Sequence, residues 1–213
     1  MKCKSGREPF SVDWERVYNG FTANITDFDC GRLCAPANGG VPACCVNETH
    51  QPVLFREELR WLRTKTALWR KRRACTPRHK KMDAEIEEYI CYADCRGIAH
   101  CRRRFRSLTC RFFPFEPYFD ERGEFVGLTW MYRAREGCAL IGTSPRRINP
   151  RYIEQSLAVW KALFEAFPGE VECYVDVSRK LRRQYLRSGD PITIFPPPRR
   201  GRPVTQKGSP ASR

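Results

Sequence analysis

Cys30-Gly-Arg-Leu-Cys34, followed by Cys44-Cys45, places four cysteines within sixteen residues, and a second group runs from Cys91 through Cys95 and Cys101 to Cys110. The chain opens Met1-Lys-Cys-Lys-Ser-Gly-Arg7 with no apolar stretch of the secretory kind, so export is not expected. In a reducing cytoplasm, patterned cysteines read as metal ligands or redox groups rather than disulfides. The thiolate is the ligand, and a bound metal lowers the thiol pKa enough to form it near neutral pH. Twelve cysteines in 213 residues, eight of them in these two groups, are too concentrated to be read as a set of small buried apolar side chains.

Working outward, 213 residues fit one domain with appendages and can bury a core, so metal would organise part of the fold. No apolar run reaches membrane-spanning length, and no membrane partner is expected. The net charge is +15. Residues 196–213 hold five basic residues and no acidic ones. An acidic protein or a nucleic acid is the partner class that such a balance suits. The basic runs Trp69-Arg-Lys-Arg-Arg73, Arg78–Lys81, Arg102–Arg104 and Arg199–Arg202 read first as a solvated face and tail. Arg102–Arg104 also lie where positive charge would offset a thiolate site.

Hydrophobic spacing predicts an α+β fold: a single irregular, cysteine-rich metal-binding domain with several helices and a small β-hairpin or sheet. Residues 1–27 form a helical lead-in, with Trp14, Val17, Tyr18 and Phe21 at helical spacing. Residues 28–142 hold the cysteine region, and 143–195 form a helix-strand-helix support. Residues 196–213 are a disordered basic tail. Ala35–Pro42 has the Gly, Pro and Asn content of a tight loop. Pro52 opens a helix carrying Phe55, Leu59, Leu62 and Trp69 on one stripe. A second helix is expected over Met82–Ala93, and continued slightly it would put Cys91 and Cys95 on one face. Asp120–Gly123 reads as a turn into a strand over Phe125–Tyr132. Asn149-Pro150 starts a helix that Pro168-Gly169 stops. Val171–Val177 alternates as a strand, with Cys173 in the core, and a basic helix follows over Arg179–Leu186.

The Cys30-x3-Cys34…Cys44-Cys45 cluster, with Arg106-Ser-Leu-Thr-Cys110-Arg-Phe-Phe-Pro-Phe115 downstream, resembles the zinc- or iron-chelating cysteine-cluster family (the CxxCxxCC or YkgJ-like domain). Cys101 stands for the cysteine that precedes the second segment. Arg106, Cys110, Arg111, Phe113 and Pro114 match the segment itself, and Cys138 resembles a further downstream cysteine. The likeness covers about residues 28–142. It departs from the pattern where Ala35–Ala43 stretches the first cluster and where Ser107 replaces a proline. The resemblance implies metal or iron–sulfur binding. A similar cluster occurs in flagellin lysine methylases, which implies a possible enzyme.

The expected ligands are Cys30, Cys34, Cys44, Cys45, Cys95, Cys101, Cys110 and Cys138, with Cys91 evenly balanced. Cys3, Cys75 and Cys173 stand alone and read as ordinary thiols. His50 and His100 lie beside cysteines but read first as surface or core histidines, and His79 as part of a charge run. Adjacent Cys44 and Cys45 are not expected to share one tetrahedral zinc without backbone strain, which tilts the cofactor toward an iron–sulfur cluster over zinc. Phe112, Phe113 and Phe115 are expected to wall the site from water. Phosphate-loop, dinucleotide and His-Glu-x-x-His motifs are absent. Three functions follow: a cytoplasmic metal-binding accessory or redox protein, a lysine-methylase-like enzyme that uses the cluster, and a zinc-stabilised RNA-binding module.

Overall fold

The computed structural model describes residues 12–46 and 51–196, with the backbone of 204–206. His50 and most of the basic tail fall outside these residues. The fold is α+β, and the described residues divide into two compact units, those within 30–113 and those within 12–29 and 114–206.

The first unit is built on an antiparallel sheet of order β1-β3-β2, from β1 (Val53–Phe55), β2 (Trp69–Lys71) and β3 (Ile90–Cys95). Leu54 lies opposite Cys91, and Trp69 opposite Cys95. Alternation along β3 puts Cys91, Ala93 and Cys95 on one face. These residues therefore share a face as strand residues, where a helix is predicted. The predicted helix ends earlier, as α4 (Pro77–Glu85), capped by the Thr76 side chain. Likewise the helix predicted from Pro52 is shortened to α3 (Arg56–Lys65), because Leu54, Phe55 and Trp69 are taken into strands. A helical stripe and a strand look alike over so few apolar residues, and pairing with β3 decides the outcome.

Glu58 is the central polar group of this unit. Its carboxylate has no solvent exposure. It accepts the N–H of Phe55, 3.3 Å away, as the N3 half of a capping box, and the N–H of Leu108 at 2.7 Å. Leu108 is the first residue of α5 (Leu108–Phe112), and the Ser107 hydroxyl caps that helix by accepting the Cys110 N–H at 3.4 Å. Thr109 also donates its hydroxyl to the Val53 carbonyl. So β1, α3 and α5 are tied together beneath the second cysteine group.

No residue of α4 is buried, so a side-chain anchor holds it. The Arg72 guanidinium, 6% exposed, reaches Asp83 at 2.5 Å and the His79 carbonyl at 3.4 Å, and stacks 4.1 Å from the centre of the Tyr92 ring. Truncating it strands a half-buried carboxylate. We expect Arg72→Ala to lower unfolding stability by about 2–3 kcal/mol, the lower end for broken buried pairs because Asp83 is partly wet. Chemical denaturation, with hydrogen exchange of α4 amides, checks this.

The second unit packs α1 (Trp14–Gly20), α6 (Pro150–Ala166) and α7 (Pro168–Ser188) with an antiparallel sheet β4-β5-β6-β7. The strands are β4 (Phe115–Phe119), β5 (Phe125–Trp130), β6 (Ile192–Phe195) and β7 (Val204–Gln206). β7 shows that the tail predicted as disordered over 196–213 contains a paired backbone segment. The hairpin, its Asp120–Gly123 turn and the Asn149-capped helix agree with the sequence reading. The strand predicted over Val171–Val177 is instead part of α7. Pro168 follows the end of α6 at Ala166, as the sequence predicts, and also occupies the first turn of α7, where its missing N–H costs nothing. Ser178, Leu181 and Tyr185 then face inward at helical spacing. Cys173 is therefore helical and half-buried, and it is disulfide-bonded rather than a free thiol.

Phe115 lies at the heart of this second core, 4.3 Å from the Trp130 ring and edge-on to Phe195 at 5.1 Å. Gly127, at φ 155°, admits the β6 backbone. A Cβ there would sit 2.4 Å from the Phe195 carbonyl oxygen, which no side chain tolerates. On β4, burial pushes the Glu116 carboxyl up to about 7, partly opposed by Arg133. The proton is thus held more tightly folded than unfolded. Stability from this group is complete below about pH 4.5 and is lost as pH rises through about 7. We expect Glu116→Gln to flatten that decline by up to about 3 kcal/mol, measured by denaturation at several pH values.

Candidate metal centre

The first cysteine group is set by short turns. α2 (Gly31–Cys34) runs into a 3₁₀ turn over Ala35–Asn38, and Gly39 and Gly40, both at positive φ, bring the chain back to a second 3₁₀ turn, Ala43–Cys45. Cys34 is buried at the base of this loop. Its sulfur accepts the Ala43 N–H at 3.3 Å, and the Asn38 side chain caps its carbonyl at 2.7 Å. Cys34 thus closes the loop that presents Cys44 and Cys45.

The second group is gathered by β3, α5 and the bend between them. Cys95 ends β3, and Gly97 takes φ 91°, ψ 175°, a conformation close to glycine-only, so that its N–H points back to Cys95 Sγ at 3.4 Å. Cys101 follows the 3₁₀ turn Ile98–His100, and Cys110 lies on α5. Arg111, buried, donates to the carbonyls of Arg104, at 2.8 Å, and Arg106, at 3.2 Å. It holds the bend that carries Cys101 and Arg106.

Five thiols meet at one pocket. Cys44, Cys45, Cys95, Cys101 and Cys110 line it together with Arg106, Trp69, Pro52, Gly97 and Ile98. The space between them is about 30 Å³, room for an ion or a water or two, far below that of an organic substrate. Cys44 and Cys45 sulfurs are 3.9 Å apart. Two thiolates on one tetrahedral zinc, each about 2.3 Å from the ion, lie about 3.8 Å apart. The neighbouring residues therefore already hold the spacing of one edge of such a site, contrary to the strain expected from their adjacency. The 3₁₀ turn puts both side chains on the same side.

The charges are arranged around Arg106, whose Nε donates to Cys101 Sγ at 3.4 Å. Burial pulls the Arg106 pKa down, but the Cys101 hydrogen bond and the nearby Cys44 and Cys45 thiols outweigh it and hold the guanidinium charged. Cys44 and Cys45 act on each other through their sulfur–sulfur contact. The hydrogen bond from Cys44 lowers Cys45 to about 6 against the cost of burial, with help from Arg106, and Cys44 is raised correspondingly. Burial pushes Cys110 up to about 12 and also raises Cys95, each partly offset by its donor, the Ser107 hydroxyl and the Gly97 N–H. With Arg106 the single cation lining the pocket, further thiolates there would need further positive charge.

Of the eight cysteines expected as ligands, the structure brings five together. Cys30, half-buried at the start of α2, and Cys34 do not line the pocket, and Cys138 belongs to the second unit. Cys91 is buried on β3, paired with Leu54 of β1, and Cys75 is exposed. Phe112, Phe113 and Phe115 do not wall the pocket, because they are core residues; Pro52, Trp69 and Ile98 supply its apolar lining. His100 is exposed and also outside it. Arg106 and Gly97 were missed as site residues, although the arginine five residues after Cys101 and the glycine two after Cys95 are the visible signals. Among the described residues, no group of three or more His, Cys, Asp or Glu side chains is arranged to hold a metal ion as it stands. The donor set nonetheless fits a soft metal: five thiols, no carboxylate, and N–H donors already directed at Cys95 and Cys101. No protein-family model, curated protein sequence or solved structure matches the chain.

Proposed function

We propose that the first unit is a metal-binding module whose ligands come from Cys44, Cys45, Cys95, Cys101 and Cys110, serving an accessory or redox role. The observation that carries this reading is the convergence of five thiols and one arginine on a single pocket. Thiolate ligands select zinc, copper(I) or iron–sulfur centres over hard cations. The 3.9 Å spacing of Cys44 and Cys45 and the small space favour a single ion, with zinc foremost. A fifth thiol and the N–H donors to sulfur favour the second reading, an iron–sulfur centre, in which four-iron clusters place each cysteine on its own iron.

The reading implies a reducing compartment, the cytoplasm, and it must accommodate one disulfide-bonded residue, Cys173. No described helix is long and apolar enough to cross a membrane. The test is anaerobic purification without chelators, followed by metal and acid-labile sulfide per chain and a visible spectrum. One zinc without sulfide or colour supports the single-ion reading. Iron with matching sulfide and a brown chromophore supports the second. A chain that carries neither, and takes up neither when offered, sinks both.

A further inference from the structure

Apart from residues 1–4 and the basic tail, the positive charge of this protein lies in one stretch of the chain. Residues 30–113 carry 18 Lys and Arg against 8 Asp and Glu, a net +10. Residues 5–29 and 114–195 carry 14 against 16, a net −2. A device for solubility alone would spread its charge, whereas a localised excess is the footprint of a polyanion. Fourteen of the 18 are arginines, the residue suited to phosphate by its fork of donors and to bases by its flat face.

The pocket accounts for few of them. Arg106 serves the thiols, Arg111 the backbone and Arg72 α4. Arg96, Arg102 and Arg104 alternate along the chain with the pocket-lining Gly97, Ile98, Cys101 and Arg106, yet they are exposed and have no acidic partner among the described residues. Lys71 and Arg73, at the end of β2, are exposed in the same way. Two contacts bring these stretches together: Arg96 N–H donates to the Leu68 carbonyl at 3.0 Å, and Trp69 Nε1 to the Phe105 carbonyl at 2.7 Å. β2 is also an edge strand of its sheet. Within the arginines sit two apolar surfaces: Ile98, 47% exposed, and half-buried Phe105, with the Arg104 guanidinium 4.7 Å from its ring centre. Basic residues around flat apolar platforms are what stacked, unpaired bases and their phosphates require.

We propose that the stretches Lys71–Arg73 and Arg96–Phe105 form a binding surface for single-stranded nucleic acid. This rests on where the charge lies and stands apart from what the thiols hold. The probe is a labelled single-stranded oligonucleotide of about 20 nucleotides, followed by fluorescence anisotropy with the full chain, as salt rises from about 50 to about 200 mM. Affinity is expected to fall about tenfold or more over that range. Arg102→Glu with Arg104→Glu should weaken binding at least about tenfold at low salt and make the log–log salt slope shallower by about 1.4, the share of two phosphate contacts. Arg183→Glu with Arg187→Glu, the same charge change at exposed sites of the second unit, should stay within about twofold at low salt. The tail variant Arg199→Gln, Arg200→Gln, Arg202→Gln should still bind. The proposal is overturned by absence of binding at low salt, by equal losses in the two charge-reversal pairs, or by loss in the tail variant. Tighter binding of duplex, or equal binding of polyglutamate, would overturn it in favour of another polyanion.

Discussion

Replacing both Cys45 and Cys110 with serine is expected to cost at least about a hundredfold in metal affinity, beyond the ten- to hundredfold typical of losing a mere outer-shell partner. The two residues come from different elements, one from the 3₁₀ turn after the loop and one from α5, so the pair removes a ligand from each cysteine group. A hydroxyl is a poor soft-metal ligand and stays protonated near neutral pH. Cys75→Ser, at an exposed thiol outside the pocket, should change nothing. Cys30→Ser is the informative control, because the sequence pattern counts Cys30 as a ligand and the structure leaves it outside the pocket. Competition against a chromophoric chelator measures all three. Metal loss in Cys30→Ser equal to that of the pocket pair would restore the ligand set read from sequence.

Glu58→Ala is expected to cost about 3–4 kcal/mol of stability, since it leaves two buried N–H groups, those of Phe55 and Leu108, without their acceptor and opens a cavity. Glu58→Gln keeps one carbonyl acceptor and should lose about half as much. Urea denaturation gives the difference. Because Glu58 holds the first residue of α5, the loss should also reach the site: metal affinity falls in Glu58→Ala although no ligand is touched. A stability loss under about 1 kcal/mol would mean that water or another donor replaces the carboxylate, and that α5 is held from elsewhere.

Much of the site was legible in the sequence and less of the fold around it. Cysteine spacing marked Cys44, Cys45, Cys95, Cys101 and Cys110 because thiol density is a local property of the chain. It could not show that Cys34 closes a loop through the Ala43 N–H, since that role depends on how Gly39 and Gly40 turn the backbone. The hairpin and the Asn149-capped helix were readable because their turn and cap residues are explicit. β3 was misread as helix because Ile86, Tyr89 and Ile90 fit a helical stripe, and only pairing with Val53–Phe55 and Trp69–Lys71 reveals the strand. α7 was misread for the opposite reason: Val171, Cys173, Val175 and Val177 alternate, while the inward face of the helix is set by Ser178, Leu181 and Tyr185 further on. Pro168 is readable as the end of α6, but not as the first turn of the helix that follows. Glu58 reads from the sequence as a residue of an exposed helix face, and only the fold shows the Phe55 and Leu108 N–H groups that draw it fully inside.

X-ray absorption at the edge of the metal bound to the anaerobically purified protein tests the central claim most directly. Thiolate ligation from the pocket predicts a first shell of about four sulfurs near about 2.3 Å, with a short metal–metal distance added only if the centre is iron–sulfur. A first shell of oxygen and nitrogen alone would contradict the account.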